Sequence, residues 1–333
     1  MLKIGVIGAG YWGKNHVRVF SELNCELVGI ADSDPAKESL AKKHGTKFFT
    51  DYKELLKKVD AVSIVVPADL HYTVAKECLL AGKHVLIEKP FVLDEKEGEE
   101  LIKIARANNL KIMVGHIFKY NAAVRKIKEY IDNGTLGNLY YIYSTRVNLG
   151  IVRKDLNAMW NFAPHDISIL LHLLESEPYE VVAKGHCYLQ KDIEDVVFMT
   201  LSFPNNVLAH VHVSWLDPHK IRKITFVGSE KMLVYDDVST DEQIKIYDKS
   251  IIVDKSGWDS FGEFQFKTRS GDVVIPTFKM NESLKVECQH FLDCIENDEK
   301  PLSDGVEGLK VLKILNAAQK SLKEEGKPIK IQY

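Results

Sequence analysis

The sequence predicts an α/β chain in two parts: an N-terminal parallel sheet wrapped by helices, then an α+β part built on a large, mostly antiparallel sheet. Three observations carry this. Up to Phe118, short apolar runs alternate with amphipathic stretches, the rhythm of βαβ units. Beyond it the apolar runs lengthen and follow one another with turn residues between them, as antiparallel strands do. A length of 333 residues, 45% hydrophobic and 27% charged, suits two globular domains better than one core. The expected division is 1–119 and 120–333.

In the first part the strands read KIGVIG, ELVGIAD, the short TKFF, AVSIVVP, HVLIEKP and KIMVGH, most of them stopping at Gly, Asp, Pro or another polar residue. Helical stretches cover 12–23, 35–43, 71–80 and 94–107. One more amphipathic helix, 122–131, ends at Asn133-Gly134, a glycine C-cap. The second part then reads LYYIYSTRVNL, YEVVAKGHCYL, EDVVFMTLSF, NVLAHVHVSW and KITFVG, interrupted by an apolar helix over 164–174 and closed by helices around 282–295 and 305–322. There is no internal repeat and no low-complexity segment.

Composition excludes several classes. A formal net charge of -3, from 44 Lys+Arg against 47 Asp+Glu, leaves no basic footprint for nucleic acid. No apolar run approaches the length of a bilayer span, and MLKIGVIGAG lacks the apolar core and cleavage site of a secretory signal. The five cysteines are scattered, odd in number and without a C-x-x-C, which points to reduced thiols, a cytoplasmic location and no zinc cluster.

Gly8, Gly10 and Gly13 form G-x-G-x-x-G directly after the first strand and at the start of a helix. In that context the first glycine permits the tight turn, the second lets backbone approach a pyrophosphate, and the third lets helix and strand pack, with the helix N-terminus facing the phosphates. Tyr11 and Trp12 lie inside the motif. The second strand ends at Asp32, where a carboxylate grips the ribose diol and repels a 2'-phosphate, so the expected cofactor is NAD. Asp34 before Pro35 fits a helix cap better than Asp32 does.

With TKFF counted as the third strand, Pro67 closes the fourth and Glu88 and Lys89 follow the fifth, on the sheet edge that carries the glycine turn. His71, at the start of the following helix, joins the cofactor candidates. A lone lysine after a strand is most often a solvated loop residue. Its neighbours change the reading: VVPADLHYTVAKECLLAGKHVLIEKP resembles the glucose-fructose oxidoreductase, inositol dehydrogenase and rhizopine-catabolism family (Gfo/Idh/MocA), whose signature is Glu-Lys-Pro after the fifth strand. VGHIFKYNAAVRKIKEYIDNGTLGNLYYI is similar to that family's passage into its second domain, and NFAPHDISILLHLL to its catalytic helix. The resemblance implies a Rossmann domain joined to an open-faced sheet domain, and homo-oligomers, dimers or tetramers, formed through the open face.

His165 lies in the helix expected over 164–174, which is apolar on nearly every side. Placed in a first turn, it would feel the positive end of the helix dipole and stay neutral, while Asp166 works against that. Without the resemblance His165 reads as a packed helix-start residue. With it, the catalytic pair is His165 as acid/base and Lys89 as the cation that polarises oxygen, two roles that oxidation of a carbinol requires. Relatives often carry Asp four residues before the histidine, where this chain has Asn161, and an amide cannot exchange a proton.

Substrate candidates surround this helix. Arg146, Asn148, Arg153, Asn157, Trp160 and Asn161 mix hydrogen-bonding, forked cationic and flat aromatic groups suited to a sugar with a charged substituent, although they also read as an ordinary polar connection. Trp215, His219 and Arg222 flank a proline turn, and Tyr120 follows GHIFK. His210 and His212 alternate onto one sheet face but lack a third metal ligand, so no metal is expected. The segments around Arg153 and SWLDPHKIR resemble family members acting on nucleotide-linked amino sugars. The expectation is therefore an NAD-dependent dehydrogenase of the UDP-N-acetylglucosamine 3-dehydrogenase type. The alternatives are a free-sugar or inositol dehydrogenase, a dinucleotide-binding regulator without turnover, and a glycosidase that oxidises and re-reduces its sugar.

Overall fold

Continuous apolar strands need cover on both faces, and this requirement organises the first third of the chain. The computed structural model describes residues 1–254 and 265–333. β1 (Lys3–Ile7), α1 (Gly13–Glu22), β2 (Glu26–Ala31), α2 (Glu38–Lys43), β3 (Lys47–Phe49), α3 (Tyr52–Leu56), β4 (Ala61–Ile64), α4 (His71–Leu80), β5 (His84–Ile87), α5 (Glu95–Ala107) and β6 (Ile112–Val114) follow in order. The six strands form one parallel sheet in the order β3-β2-β1-β4-β5-β6. Strand order reverses between β1 and β4, which is where a doubly wound sheet opens its ligand crevice. Helix starts are locally encoded: Asp94 caps α5 by accepting from the Lys96 N–H, with Glu95 and Glu97 in the first turn where the dipole favours them.

The later elements are α6 (Ala122–Asp132), β7 (Leu139–Val147), α7 (Ala158–Leu174), β8 (Glu180–His186), β9 (Val196–Ser202), β10 (Leu208–Ser214), β11 (Ile221–Gly228), β12 (Met232–Asp236), β13 (Ile244–Asp254), β14 (Gln265–Val274), α8 (Ser283–Glu296), α9 (Gly305–Lys323) and β15 (Ile329–Lys330). Among the described residues the nine strands from β7 onward form one sheet, ordered β14-β13-β12-β11-β7-β10-β9-β8-β15. All its neighbours pair antiparallel except β10 with β7, which makes the sheet mixed. Alternation separates its faces. Ala209, Val211 and Val213 are buried, with α7 packed against β7, β9 and β10, while Tyr141, Tyr143, Phe198 and Leu208 on the other face are exposed.

Two expectations change. The chain divides into one unit of 1–121 with 281–313 and a second of 122–280 with 314–333, not at 119/120 alone. The segment 281–313 joins the first unit because Leu284, Cys288, Phe291 and Leu292 of α8 share a hydrophobic cluster with Val17 and Phe20 of α1, and Ser303 Oγ donates to the Val114 carbonyl at 2.8 Å. The helix expected from 164 begins at Ala158, capped by Asn157, so Pro164 lies inside it. Among the described residues no helix is long and apolar enough to cross a membrane.

Candidate functional site

The glycine turn divides its glycines by job. Gly8 has φ +94, and a Cβ there would sit 2.4 Å from the Val65 carbonyl oxygen; a Cβ on Gly13 would sit 2.1 Å from that of Gly8. The fold itself demands both. Gly10 is different, because nothing lies within 4 Å of where its Cβ would be. Open space beside backbone at the start of α1 suits the close approach of a pyrophosphate. Asp32 stands against this turn: Oδ2 accepts from the Ala9 N–H at 2.7 Å and Oδ1 from the Asp34 N–H at 2.9 Å. Asp34 caps the next turn, as expected, by accepting from the Ala36 N–H. These residues fit NAD, with the α1 N-terminus for phosphates and Asp32 for ribose hydroxyls. Tyr11 is 84% exposed beside the turn.

On the same sheet edge, Pro67 follows β4 and Glu88, Lys89 and Pro90 follow β5, with a cis Lys89–Pro90 peptide. Burial would raise the Glu88 carboxyl, but His16, Lys89 and the Trp12 N–H outweigh it and hold it below the usual carboxylate value. His71 is buried, with Nδ1 2.7 Å from the Pro90 carbonyl and Nε2 3.0 Å from that of Val66. Its ring braces the loops after β4 and β5 instead of facing a ligand, and burial lowers its pKa. Tyr120 does not offer its hydroxyl to a sugar either; it is 1% exposed, 3.0 Å from Ser303 Oγ in the first unit.

The second unit presents His165 half-buried on α7. Because α7 starts at Ala158, His165 is well past the first turn, and the dipole argument for a neutral imidazole does not apply to it. Asn157 is the N-cap: Oδ1 accepts from the Trp160 N–H at 3.0 Å, and Nδ2 donates to Glu194 at 2.6 Å and Gln319 at 2.9 Å. Trp160 donates its indole N–H to Gln319 at 3.1 Å, and the Asn161 N–H bonds back to the Asn157 carbonyl. Asp166 cannot stand in for the carboxylate missing at Asn161, since it is buried and bound to Arg146 at 2.7 Å and Ser144 at 2.6 Å.

Several substrate candidates are thereby committed within the fold. Arg146 is 3% exposed in that ion pair. Trp215 is fully buried with its indole N–H on Asp195, so it has no flat face to offer. Arg153 forks onto Asp155, and Arg222 lies 3.7 Å from Asp237. Asn148 is half-buried at the end of β7, its N–H on the Ser214 carbonyl, and the His219 side chain is 79% exposed. His210 and His212 stack on Phe198, with ring centroids 6.3 and 4.4 Å away.

Three buried groups around the Glu88 turn escaped sequence reasoning. His16 lies on the inner side of α1, Glu287 on α8 and His116 just past β6. Among the described residues, neither Glu287 oxygen nor either His116 ring nitrogen has a hydrogen-bond partner. Burial and then Glu88 push the Glu287 carboxyl well up, and burial with Lys119 pulls His116 down to about 3. A His or Glu inside an amphipathic pattern carries no mark separating it from the solvated face, so only the fold reveals them.

Comparison with known proteins matches this geometry. The oxidoreductase family with an NAD-binding Rossmann fold covers residues 2–116, and the GFO/IDH/MocA C-terminal domain covers 124–234. The chain is 26% identical over 313 residues to UDP-N-acetylglucosamine 3-dehydrogenase of Acidithiobacillus ferrooxidans, spanning 93% of this chain and 94% of that one. It is 28% identical over 202 residues to inositol 2-dehydrogenase of Rhizobium meliloti, spanning 58% and 61%. A solved structure of the Acidithiobacillus enzyme superposes with TM-score 0.81 at 25% identity over 97% of this chain and 98% of that one. Scyllo-inositol dehydrogenase of Lactobacillus casei, solved with NAD(H) and scyllo-inositol, gives 0.80 at 20% identity over 99% of each, a likeness of fold. With both of its family domains matched, the chain belongs to the Gfo/Idh/MocA family of NAD-binding oxidoreductases.

Proposed function

We propose that this protein is a cytoplasmic NAD-dependent dehydrogenase that moves a hydride between nicotinamide and a secondary alcohol of a sugar, and that the sugar is carried on a nucleotide, as in UDP-N-acetylglucosamine oxidised at carbon 3. The observation that carries it is the Glu88-Lys89-Pro90 turn on the sheet edge that bears the glycine turn and Asp32. The bound cofactor supplies the hydride acceptor. The chain must add a group that takes the hydroxyl proton and a cation that stabilises the oxygen. His165 takes the first role and Lys89 the second. Asn161 serves as a hydrogen-bond partner for a sugar hydroxyl, because its amide donates and accepts hydrogen bonds but is no acid or base.

A second reading, oxidation of a free sugar or inositol, gains from one feature: Arg146, Arg153 and Arg222, the arginines suited to a diphosphate, each lie beside an aspartate. The two readings separate in one assay. The protein is mixed with NAD and UDP-N-acetylglucosamine, free N-acetylglucosamine or myo-inositol, and NADH absorbance is followed. Turnover of the nucleotide sugar is expected, with NADP a poorer cofactor. Lys89→Ala and His165→Ala should each lower kcat by about 100-fold or more while NADH still binds by calorimetry. Turnover of free polyols alone would favour the second reading. NADH binding without turnover of any sugar would make the protein a dinucleotide-binding regulator. The exposed Tyr141, Tyr143, Phe198 and Leu208 support a homo-oligomer, dimer or tetramer, formed through that sheet face.

A further inference from the structure

Glu88 precedes the lysine by one residue, and its carboxylate is where three segments of the first unit are tied. Oε1 accepts from Trp12 Nε1 and lies 2.9 Å from His16 Nε2, while Oε2 accepts from the backbone N–H of Lys89 at 3.1 Å. A carboxylate oxygen only accepts, so His16 carries a proton on Nε2. Its other nitrogen lies 2.9 Å from Ser63 Oγ on β4, and both His16 and Ser63 are 0% exposed. Gly115, just past β6, leaves space for this carboxylate: a Cβ there would come within 3.1 Å of its atoms. Glu88 is held by these donors, with its side chain 12% exposed.

Burying a carboxylate costs several kcal/mol unless it is paired, and hydrogen bonds to a charged group contribute about 1.5–3 kcal/mol each. Here the donors come from particular places. Trp12 stands between Gly10 and Gly13 in the turn suited to the phosphates, and His16 is one turn further along α1. The acceptor sits at the base of the lysine. We propose that Trp12 and His16 are positioning residues that hold Lys89 through Glu88, so that the segment receiving the cofactor and the segment carrying the amine behave as one rigid piece. The inference rests on the reading that Lys89 acts on the substrate oxygen, and it explains why a side chain at the glycine turn is spent on a strand end instead of on the cofactor.

The test is a double-mutant cycle with a second readout that needs no substrate. Trp12→Phe keeps an aromatic ring and removes the donor; Glu88→Gln keeps acceptance on one oxygen and places an amide against the Lys89 N–H. Each should lower kcat about tenfold, the equivalent of about 1.4 kcal/mol, with the Kd for NADH within about threefold of wild type by calorimetry. The double variant should be no slower than the slower single, since Trp12 works through Glu88. His16→Asn replaces Trp12→Phe if the latter does not fold. In parallel, lysines are reductively methylated with carbon-13 formaldehyde, and the Lys89 signal, identified by its loss in Lys89→Arg, is titrated by NMR. Its midpoint should move in Trp12→Phe, which leaves the Glu88 charge in place.

Multiplicative losses in the double variant, an unmoved Lys89 midpoint, or NADH affinity falling in step with kcat would each overturn the proposal. Absence of turnover by the wild-type protein on every sugar would count against the proposed function instead. The lysine titration would still decide the positioning role.

Discussion

Two buried clusters, one in each unit, treat charge in opposite ways. In the second, Arg146 and Asp166 meet through Nε and Nη2 at 2.7 and 3.3 Å, and Ser144 completes the carboxylate at 2.6 Å. In the first, Glu287 and His116 are buried at 0% and 1% exposure, with no hydrogen-bond partner on their side-chain polar atoms among the described residues. Removing one member of a matched pair strands the other as an uncompensated buried charge. An unmatched group escapes the cost by staying neutral, at the price of a pH-dependent fold. The Arg146–Asp166 cluster should thus be fragile to substitution, whereas Glu287 and His116 should make stability depend on pH.

The largest effect belongs to the matched pair. Asp166→Ala should destabilise the protein by about 3–5 kcal/mol in urea unfolding, because the Arg146 guanidinium is left buried and uncompensated. Replacing both at once, Arg146→Met with Asp166→Leu, should restore most of that loss. If Asp166→Ala costs less than about 1 kcal/mol, water reaches the arginine and the contrast between the units disappears.

The same contrast explains what the sequence made legible. Strands buried on both faces, such as AVSI and HVLI, announce themselves by composition, and the glycine turn by spacing; β13, with Lys245, Asp248 and Lys249 interleaved among apolar residues, does not stand out. Pro164 has the look of a first helical residue, whereas α7 starts at the cap Asn157 seven residues earlier. Lys89 and His165 emerged from motifs. The partners that fix their surroundings, Trp12 and His16 for Glu88 and Arg146 for Asp166, are pairings distant in sequence that no local pattern encodes.

In the first unit, pH should do what substitution does in the second. His116 has an ordinary unfolded value near 6.5 and a folded one of about 3, so between them the unfolded chain binds the extra proton. Stability is then lost as pH falls below about 6.5, at roughly 1.4 kcal/mol per unit, or about 2 kcal/mol by pH 5. Urea midpoints at pH 7.5 and pH 5 should diverge less in His116→Phe than in wild type. An equal divergence would mean that the imidazole finds a proton partner and is not stranded.

Glu287 gives the opposite slope. Burial and the Glu88 charge raise its folded pKa above the unfolded value, so the folded state binds more protons in that window. Its contribution is complete below the unfolded carboxylate value near 4.3 and is lost as pH rises toward the folded one. Glu287→Gln should therefore gain on wild type as pH is raised from 5 to 8, read as a widening difference in melting temperature. A constant difference would place the carboxyl on equal terms in both states.

The smallest effect returns to the second unit and tests its precision. Asn157 serves α7 twice: its oxygen caps the helix at Trp160, and its amide donates to Glu194 and Gln319. Asn157→Ala removes both functions and should cost about 1 kcal/mol. Asn157→Asp keeps the cap and adds charge near the helix N-terminus, which favours it, but sets a carboxylate against Glu194, which opposes it. If the cap dominates, the aspartate variant stays near wild type and the alanine variant does not. If both fall equally, the amide bonds fix the start of α7, and with it the register that carries His165, more firmly than the cap does.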